Sequence, residues 1–182
     1  MRRIVNSTYV TLDGVTSDPQ EWSIDYFDAD AAAYALDKLR ASDALLMGRL
    51  TYEGFASAWP GRSGDEFSDR MNAMAKHVAS TTLTAPSWDN TTVIEGDLVE
   101  GVRALKEQDG GDVLMYGYGP VAQQLVGHGL LDELHLWVHP VLHGGGTSSI
   151  FARGVTGRFG RVTTRTFASG VTVLELSEPV LS

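Results

Sequence analysis

Along the chain, short runs of β-branched and aliphatic residues alternate with segments whose apolar positions recur every three or four residues. Arg3 to Leu12 carries Ile4, Val5, Thr8, Tyr9 and Val10 and stops at the turn pair Asp13-Gly14, which predicts a first strand. From Asp28 to Ala41 the set Ala32, Ala35, Leu36 and Leu39 follows the helical period behind Asp28 or Asp30 as N-cap, which predicts a helix. Asp43 to Gly48 is a continuous apolar run of the length of a buried strand. Helices are predicted over 49–58 and 65–75, divided by the breaker Trp59-Pro60-Gly61, and strands over Lys76 to Thr82 and Asn90 to Ile94. Asp97 then caps a helix with Leu98, Val102 and Leu105 on one face, closed by Gly110-Gly111. Asp112 to Tyr116 is a further strand, and Val121, Ala122, Leu125 and Val126 mark a helix ending near Gly127 and Gly129.

After residue 130 the pattern changes. Asp132 to Leu142 reads as a long strand, His143 to Gly146 as a loop, and Arg158 to Ala168 with Val171 to Leu176 as a hairpin joined through Ser169-Gly170. Repeated β-then-α units imply a mostly parallel sheet covered on both faces, and the hairpin adds antiparallel strands at its edge. The expectation is one three-layer α/β/α domain over residues 1–182 with a mixed sheet.

Composition narrows the function. The 43% hydrophobic and 20% charged residues are those of a soluble globular protein, and the net charge of -9 repels phosphate backbones, so nucleic acid is not the expected partner. No cysteine is present, which removes thiolate metal sites, disulfides and thiol nucleophiles. Asn6, Ser7 and Thr8 interrupt what would have to be the apolar core of a signal peptide, and no window holds 18 apolar residues, so a cytoplasmic protein without membrane contact is expected. His139 and His143 bracket Pro140-Val141-Leu142 without a nearby carboxylate in sequence, and no metal site is assigned to them.

In an open parallel sheet, ligands bind beyond the carboxyl ends of the strands. Three such ends carry suitable residues. Met47-Gly48-Arg49-Leu50-Thr51 offers a close backbone approach, a guanidinium fork and a hydroxyl in the first helical turn; the alternative is a tight turn with a solvated arginine. Ser80, Thr81 and Thr82 offer three hydroxyls, which taken singly are ordinary strand-end residues. Gly117-Tyr118-Gly119-Pro120-Val121-Ala122 matches G-x-G-x-x-A, with Pro120 placed as the first helical residue. A standard Rossmann fold is rejected, because Asp132-Glu133 precede the next strand instead of ending it and only about sixty residues follow the glycine loop. A phosphate-cradling loop is retained.

In order and spacing, these segments resemble the dihydrofolate reductase-like fold, and within it the reductase domain at the C-terminus of the bifunctional riboflavin-biosynthesis deaminase-reductase. The markers are Leu12-Asp13-Gly14, Met47-Gly48-Arg49-x-Thr51-Tyr52-Glu53, Met71-Asn72 with Lys76 to Leu83, the Gly117–Gly119 loop, and Gly129 to Leu134 leading to Pro140 to Gly146. The resemblance implies a homodimer and NADPH as cofactor, with Arg49 and Thr51 on its phosphates. It puts Ser80, Thr81 and Thr82 at the adenosine ribose and 2′-phosphate, and the turn from Gly117 through Tyr118, Gly119, Pro120 and Val121 to Ala122 at the pyrophosphate. Tyr118 stands where dihydrofolate reductases place adjacent glycines, so their strained Gly-Gly peptide is not carried over.

On the substrate side the resemblance leaves a cleft between the first strand and the helix at 28–41, with Asp13, Trp22, Tyr26, Asp28 and Asp30 to line it and Trp59 as a further ring to stack on a flat heterocycle. Asp13 or Asp28, or a bound water, is the candidate proton source. The carboxylate slot of a dihydrofolate reductase falls near Ala32, which disfavours folate reduction; a zinc deaminase half is ruled out by the missing cysteines, and residues 13–34 hold no Arg or Lys cluster for a phosphoribosyl group. The resulting expectation is an NADPH-dependent reductase of a small heterocyclic substrate. Its rivals are a nucleotide-binding or sensing module without turnover, and a dimerising scaffold.

Overall fold

The computed structural model describes residues 1–150 and 157–181. Eight strands form one sheet in the order β4-β3-β2-β5-β1-β6-β8-β7. They are β1 (Ile4–Thr11), β2 (Ser42–Gly48), β3 (Ala75–Ala79), β4 (Thr91–Ile94), β5 (Asp112–Tyr116), β6 (Glu133–His139), β7 (Gly157–Thr166) and β8 (Thr172–Leu181). The first six run parallel, β8 lies antiparallel to β6, and β7 lies antiparallel to β8. The helices are α1 (Ala29–Ala41), α2 (Arg49–Ala58), α3 (Glu66–Ala73), α4 (Leu98–Glu107) and α5 (Pro120–Gly127). This is the mixed three-layer architecture expected from the alternation of periods.

The central strands explain themselves. Leu45, Leu46, Met47, Val113, Leu114 and Met115 are essentially unexposed, because β2 and β5 are covered on both faces. Val5, Leu45, Met47 and Leu114 pack under α2 and α3, while Ile4, Leu46, Val113 and Met115 pack under α4 and α5. A third cluster, with Tyr34, Trp137, Phe167 and Val173, sits between α1 and the antiparallel strands.

Several boundaries move for local reasons. β3 stops at Ala79 and not at Thr82, because the Ser80 hydroxyl accepts the N–H groups of Thr82 and Leu83 at 3.1 and 2.9 Å and turns the chain out of the ladder. β6 stops at His139 and not at Leu142, since Pro140 has no N–H to continue the pairing. The helix at 65–75 yields its last residues to β3, and the hairpin strands run longer than expected, to Leu181. Between β1 and α1 the chain makes two 3-10 turns, Pro19–Glu21 and Ile24–Tyr26, which no periodicity announces.

Candidate functional site at the carboxyl edge of the sheet

The helices start in two ways. α1, α3 and α4 are capped by Asp28, Asp65 and Asp97, whose carboxylates accept an N–H of the first turn at 2.8, 2.9 and 3.0 Å. α2 and α5 start instead on Gly48 and Gly119, with no side-chain cap. These two follow the neighbouring strands β2 and β5, so their uncapped N–H groups lie side by side. The turns approach so closely that a Cβ on Gly48 would stand 3.3 Å from Val121 Cγ2, and one on Gly117 would stand 3.2 Å from Thr51 Oγ1. Gly117 also has φ +78, which a side chain would strain, whereas a Cβ on Gly119 would enter open space.

Asn6, wholly buried in β1, fixes the glycine turn: its Nδ2 donates to the Gly117 carbonyl at 2.8 Å, and its Oδ1 accepts from the Thr8 hydroxyl at 2.6 Å. Tyr118 tucks half-buried against the core under α5, and burial pushes its phenol pKa up. Pro120 opens α5, so Val121 and Ala122 present its first N–H groups. Arg49 lies exposed, with Nη1 on Glu53 Oε1 at 2.8 Å and no other partner among the described residues. The Thr51 hydroxyl has none there. Gly48 is in register with Ala79, which brings Ser80, Thr81 and Thr82 alongside Arg49. The Ser80 hydroxyl is engaged in its own turn, while Thr81 and Thr82 are exposed. Two uncapped helix starts, a guanidinium and free hydroxyls form a donor set that fits the phosphates of a dinucleotide.

The substrate-side residues separate into three groups. Asp13 accepts from the Thr11 hydroxyl at 2.6 Å and from the N–H groups of His143 and Gly144 at 3.1 and 2.7 Å. Asp28 caps α1 and also accepts the N–H of Ser169 at 2.8 Å. These donors hold the Asp13 carboxyl well below the usual carboxylate range and lower that of Asp28. Both side chains thereby clamp neighbouring segments, Asp13 the turn at His143 and Gly144 and Asp28 the hairpin turn at Ser169, and the donors they accept favour the carboxylate form of each. Trp22 and Tyr26 do face the strand ends, edge-on to His139 with ring centroids 5.1 and 5.9 Å away. Asp30 lies exposed on the first turn of α1. Trp59 is not brought here: it closes the far end of α2, about 15 Å of helix from Gly48, between Phe55 and Phe67 at 6.3 and 5.5 Å.

Other side chains line this edge that strand patterning does not single out. Tyr9 on β1 and Tyr116 on β5 share the face that carries α1 and α2. Phe55 lies 5.2 Å from Tyr116, and Trp137 and His139 lie 5.2 and 4.8 Å from Tyr9. Burial pushes the Tyr9 phenol up to about 12 and raises that of Tyr116 as well. A floor of rings thus begins one residue before the glycine turn.

The model of the RibD C-terminal domain family matches residues 2–173. The chain is 29% identical over 175 residues to the uncharacterized protein YyaP of Bacillus subtilis, covering 93% of this chain and 92% of that one. It is similar in structure to a putative riboflavin biosynthesis protein from Shewanella sp. PV-4, with TM-score 0.67, 22% identity and coverage of 97% and 98%. A pyrimidine reductase-like protein of Corynebacterium diphtheriae superimposes with TM-score 0.62 at 12% identity, over 100% of this chain and 93% of that one. RibD of Acinetobacter baumannii gives 0.60 at 18% identity over 99% of this chain, which spans 58% of that longer protein. These structures share the fold. Among the described residues, no helix is long and apolar enough to cross a membrane. With the family match running over nearly its whole length, the chain belongs to the RibD C-terminal domain family, whose reductase-like character supports an oxidoreductase role.

Proposed function

We propose that the protein is an NADPH-dependent oxidoreductase that delivers hydride to a small heterocyclic substrate, as a stand-alone relative of the riboflavin-pathway reductase. The observation that carries this reading is the pairing of α2 and α5, the two glycine-started helices, across Gly48 and Gly117. NADPH, when bound, supplies the hydride chemistry. The chain's own residues bind and orient: Arg49 and Thr51 take phosphate oxygens, and Ser80, Thr81 and Thr82 take the adenosine ribose and its 2′-phosphate. The N–H groups of Val121 and Ala122 take the pyrophosphate. The aromatic floor excludes water around the reacting rings. Asp13 and Asp28 accept hydrogen bonds that favour their ionised form, which assigns the proton to bound water ahead of either carboxyl. The working form is a cytoplasmic homodimer, for which gel filtration returning a dimer at micromolar concentration is the expected result.

Titration with NADPH and, separately, NADH, read by tryptophan quenching, tests the cofactor assignment. Tight NADPH binding with weak NADH binding is expected, followed by NADPH oxidation in a screen of pteridines, pyrimidines and quinones. Cofactor binding without turnover on any of them favours a nucleotide-binding module. Binding of neither nucleotide overturns the proposal.

A further inference from the structure

Building on the reductase reading, we infer that the ring floor between α1 and α2 takes an uncharged, flat heteroaromatic ring whose polar edge is held by the Tyr9 and Tyr116 hydroxyls, and that it turns away a phosphorylated one. Ser7 is in register with Tyr116, so Tyr9 lies two residues further along the same face of the adjacent strand. The buried phenols have partners: Tyr34 donates to Glu175 at 2.6 Å, and Tyr52 accepts the N–H of Trp88 at 2.9 Å. Tyr9 and Tyr116 meet no hydrogen-bond partner among the described residues, although their rings are largely covered. A half-buried hydroxyl in that state is completed by a ligand or by water. A phenol both donates and accepts, which suits the alternating N–H and carbonyl groups of a heterocycle.

The walls define the charge of that ligand. From Leu12 to Ala33 there is no Lys or Arg, while Asp13, Asp18, Glu21, Asp25, Asp28 and Asp30 give six carboxylates. Four of them, Asp18, Glu21, Asp25 and Asp30, are exposed on the segment that carries Trp22 and Tyr26 and give it a negative potential. Large apolar side chains stand exposed on the segments that follow β1 and β2: Leu12, Ile24, Phe27 and Leu50 are 58%, 70%, 48% and 74% exposed. A phosphate entering past these groups would lose hydration and meet like charge. A neutral ring would meet aliphatic and aromatic surface on entry and phenol hydroxyls at the bottom.

Lumiflavin, riboflavin and flavin mononucleotide share one ring and differ in the tail, so flavin fluorescence titrations of the whole protein separate ring from phosphate. The expected result is similar affinity for lumiflavin and riboflavin, about tenfold weaker binding of flavin mononucleotide, and a loss of about three- to tenfold for lumiflavin in Tyr9→Phe and Tyr116→Phe. Both variants remove hydroxyls that have no partner among the described residues, so an unchanged urea midpoint is expected of each. Flavin mononucleotide binding as tightly as riboflavin, lumiflavin failing to bind, or both Phe variants binding lumiflavin like the parent would each overturn the inference. An NADPH titration of the same samples keeps the two readings apart: lumiflavin binding in this pattern without NADPH binding removes the cofactor assignment and leaves the ring site standing. NADPH binding without the lumiflavin pattern does the reverse.

Discussion

At the amino ends of β1, β2, β5 and β6 the charges are paired with one another. Arg2 meets Asp43 and donates to the Gly111 carbonyl at 2.9 Å; Arg3 holds Asp112 and Glu133 at 2.6 Å each; and Lys106 meets Asp132 and the Leu130 carbonyl. At the carboxyl ends of the same strands, helices start on glycine, two phenols lack partners among the described residues and leucines stand exposed. The sheet is common to both ends, so the difference lies in the helix starts that follow β2 and β5 and in the side chains around them. One end is finished for stability. The other keeps donors and apolar surface open to a ligand, which is where binding belongs in a parallel sheet.

The largest effect is expected from opening the closed end. Asp132→Ala leaves the buried Lys106 ammonium without its carboxylate, and also takes away the acceptor of the Ile4 N–H, costing about 3 kcal/mol in urea unfolding. NADPH affinity should stay at the parent value, because nothing at the carboxyl edge is touched. Loss of NADPH binding in folded Asp132→Ala protein would break the separation of the two ends.

Asn6→Leu joins the ends, since Asn6 is a core residue that holds the glycine turn. It leaves the Gly117 carbonyl short of a donor and should cost about 2 kcal/mol in stability together with a weaker NADPH complex. Arg49→Ala is the opposite case. Its exposed ion pair with Glu53 contributes under about 1 kcal/mol, so the unfolding midpoint should barely move, while NADPH binding weakens about tenfold. Unchanged NADPH affinity would remove Arg49 from the phosphate site.

The smallest effect is a pH dependence. Asp13 is depressed in the folded state, so its contribution is present above the unfolded value of about 3.9 and is lost as pH falls below it. Asp13→Asn should therefore lower the urea midpoint near neutrality and narrow its difference between about pH 4 and pH 2. An unaltered acid limb would show that the clamp on His143 and Gly144 contributes nothing measurable.

The alternation of strands and helices was legible because short apolar or β-branched runs give way to the 3.6-residue period at glycine or aspartate, as at Gly48-Arg49 and Asp97-Leu98. The glycine turns were legible for the same reason, and so was Asp28 as the cap of α1. Ser80 was less so, since a hydroxyl that ends a strand by accepting backbone N–H groups looks like any strand serine. Tyr9 and Tyr116 read as ordinary β-formers, because register between strands distant in sequence decides which rings share a face. Asn6 carried a signal that alternation hides: a polar residue in the middle of an apolar central strand needs a partner, and the partner lies 111 residues away. Trp59 shows the converse, since proximity in sequence to Arg49 does not overcome a helix length.

The most direct test of the contrast between the two ends is an amide chemical-shift map of the isotope-labelled protein during addition of NADPH. The account predicts perturbations at residues 48–51, 80–82 and 117–122, with Arg2, Arg3, Lys106 and Asp132 unmoved. Perturbations centred on those four residues, with the glycine turns silent, would contradict it.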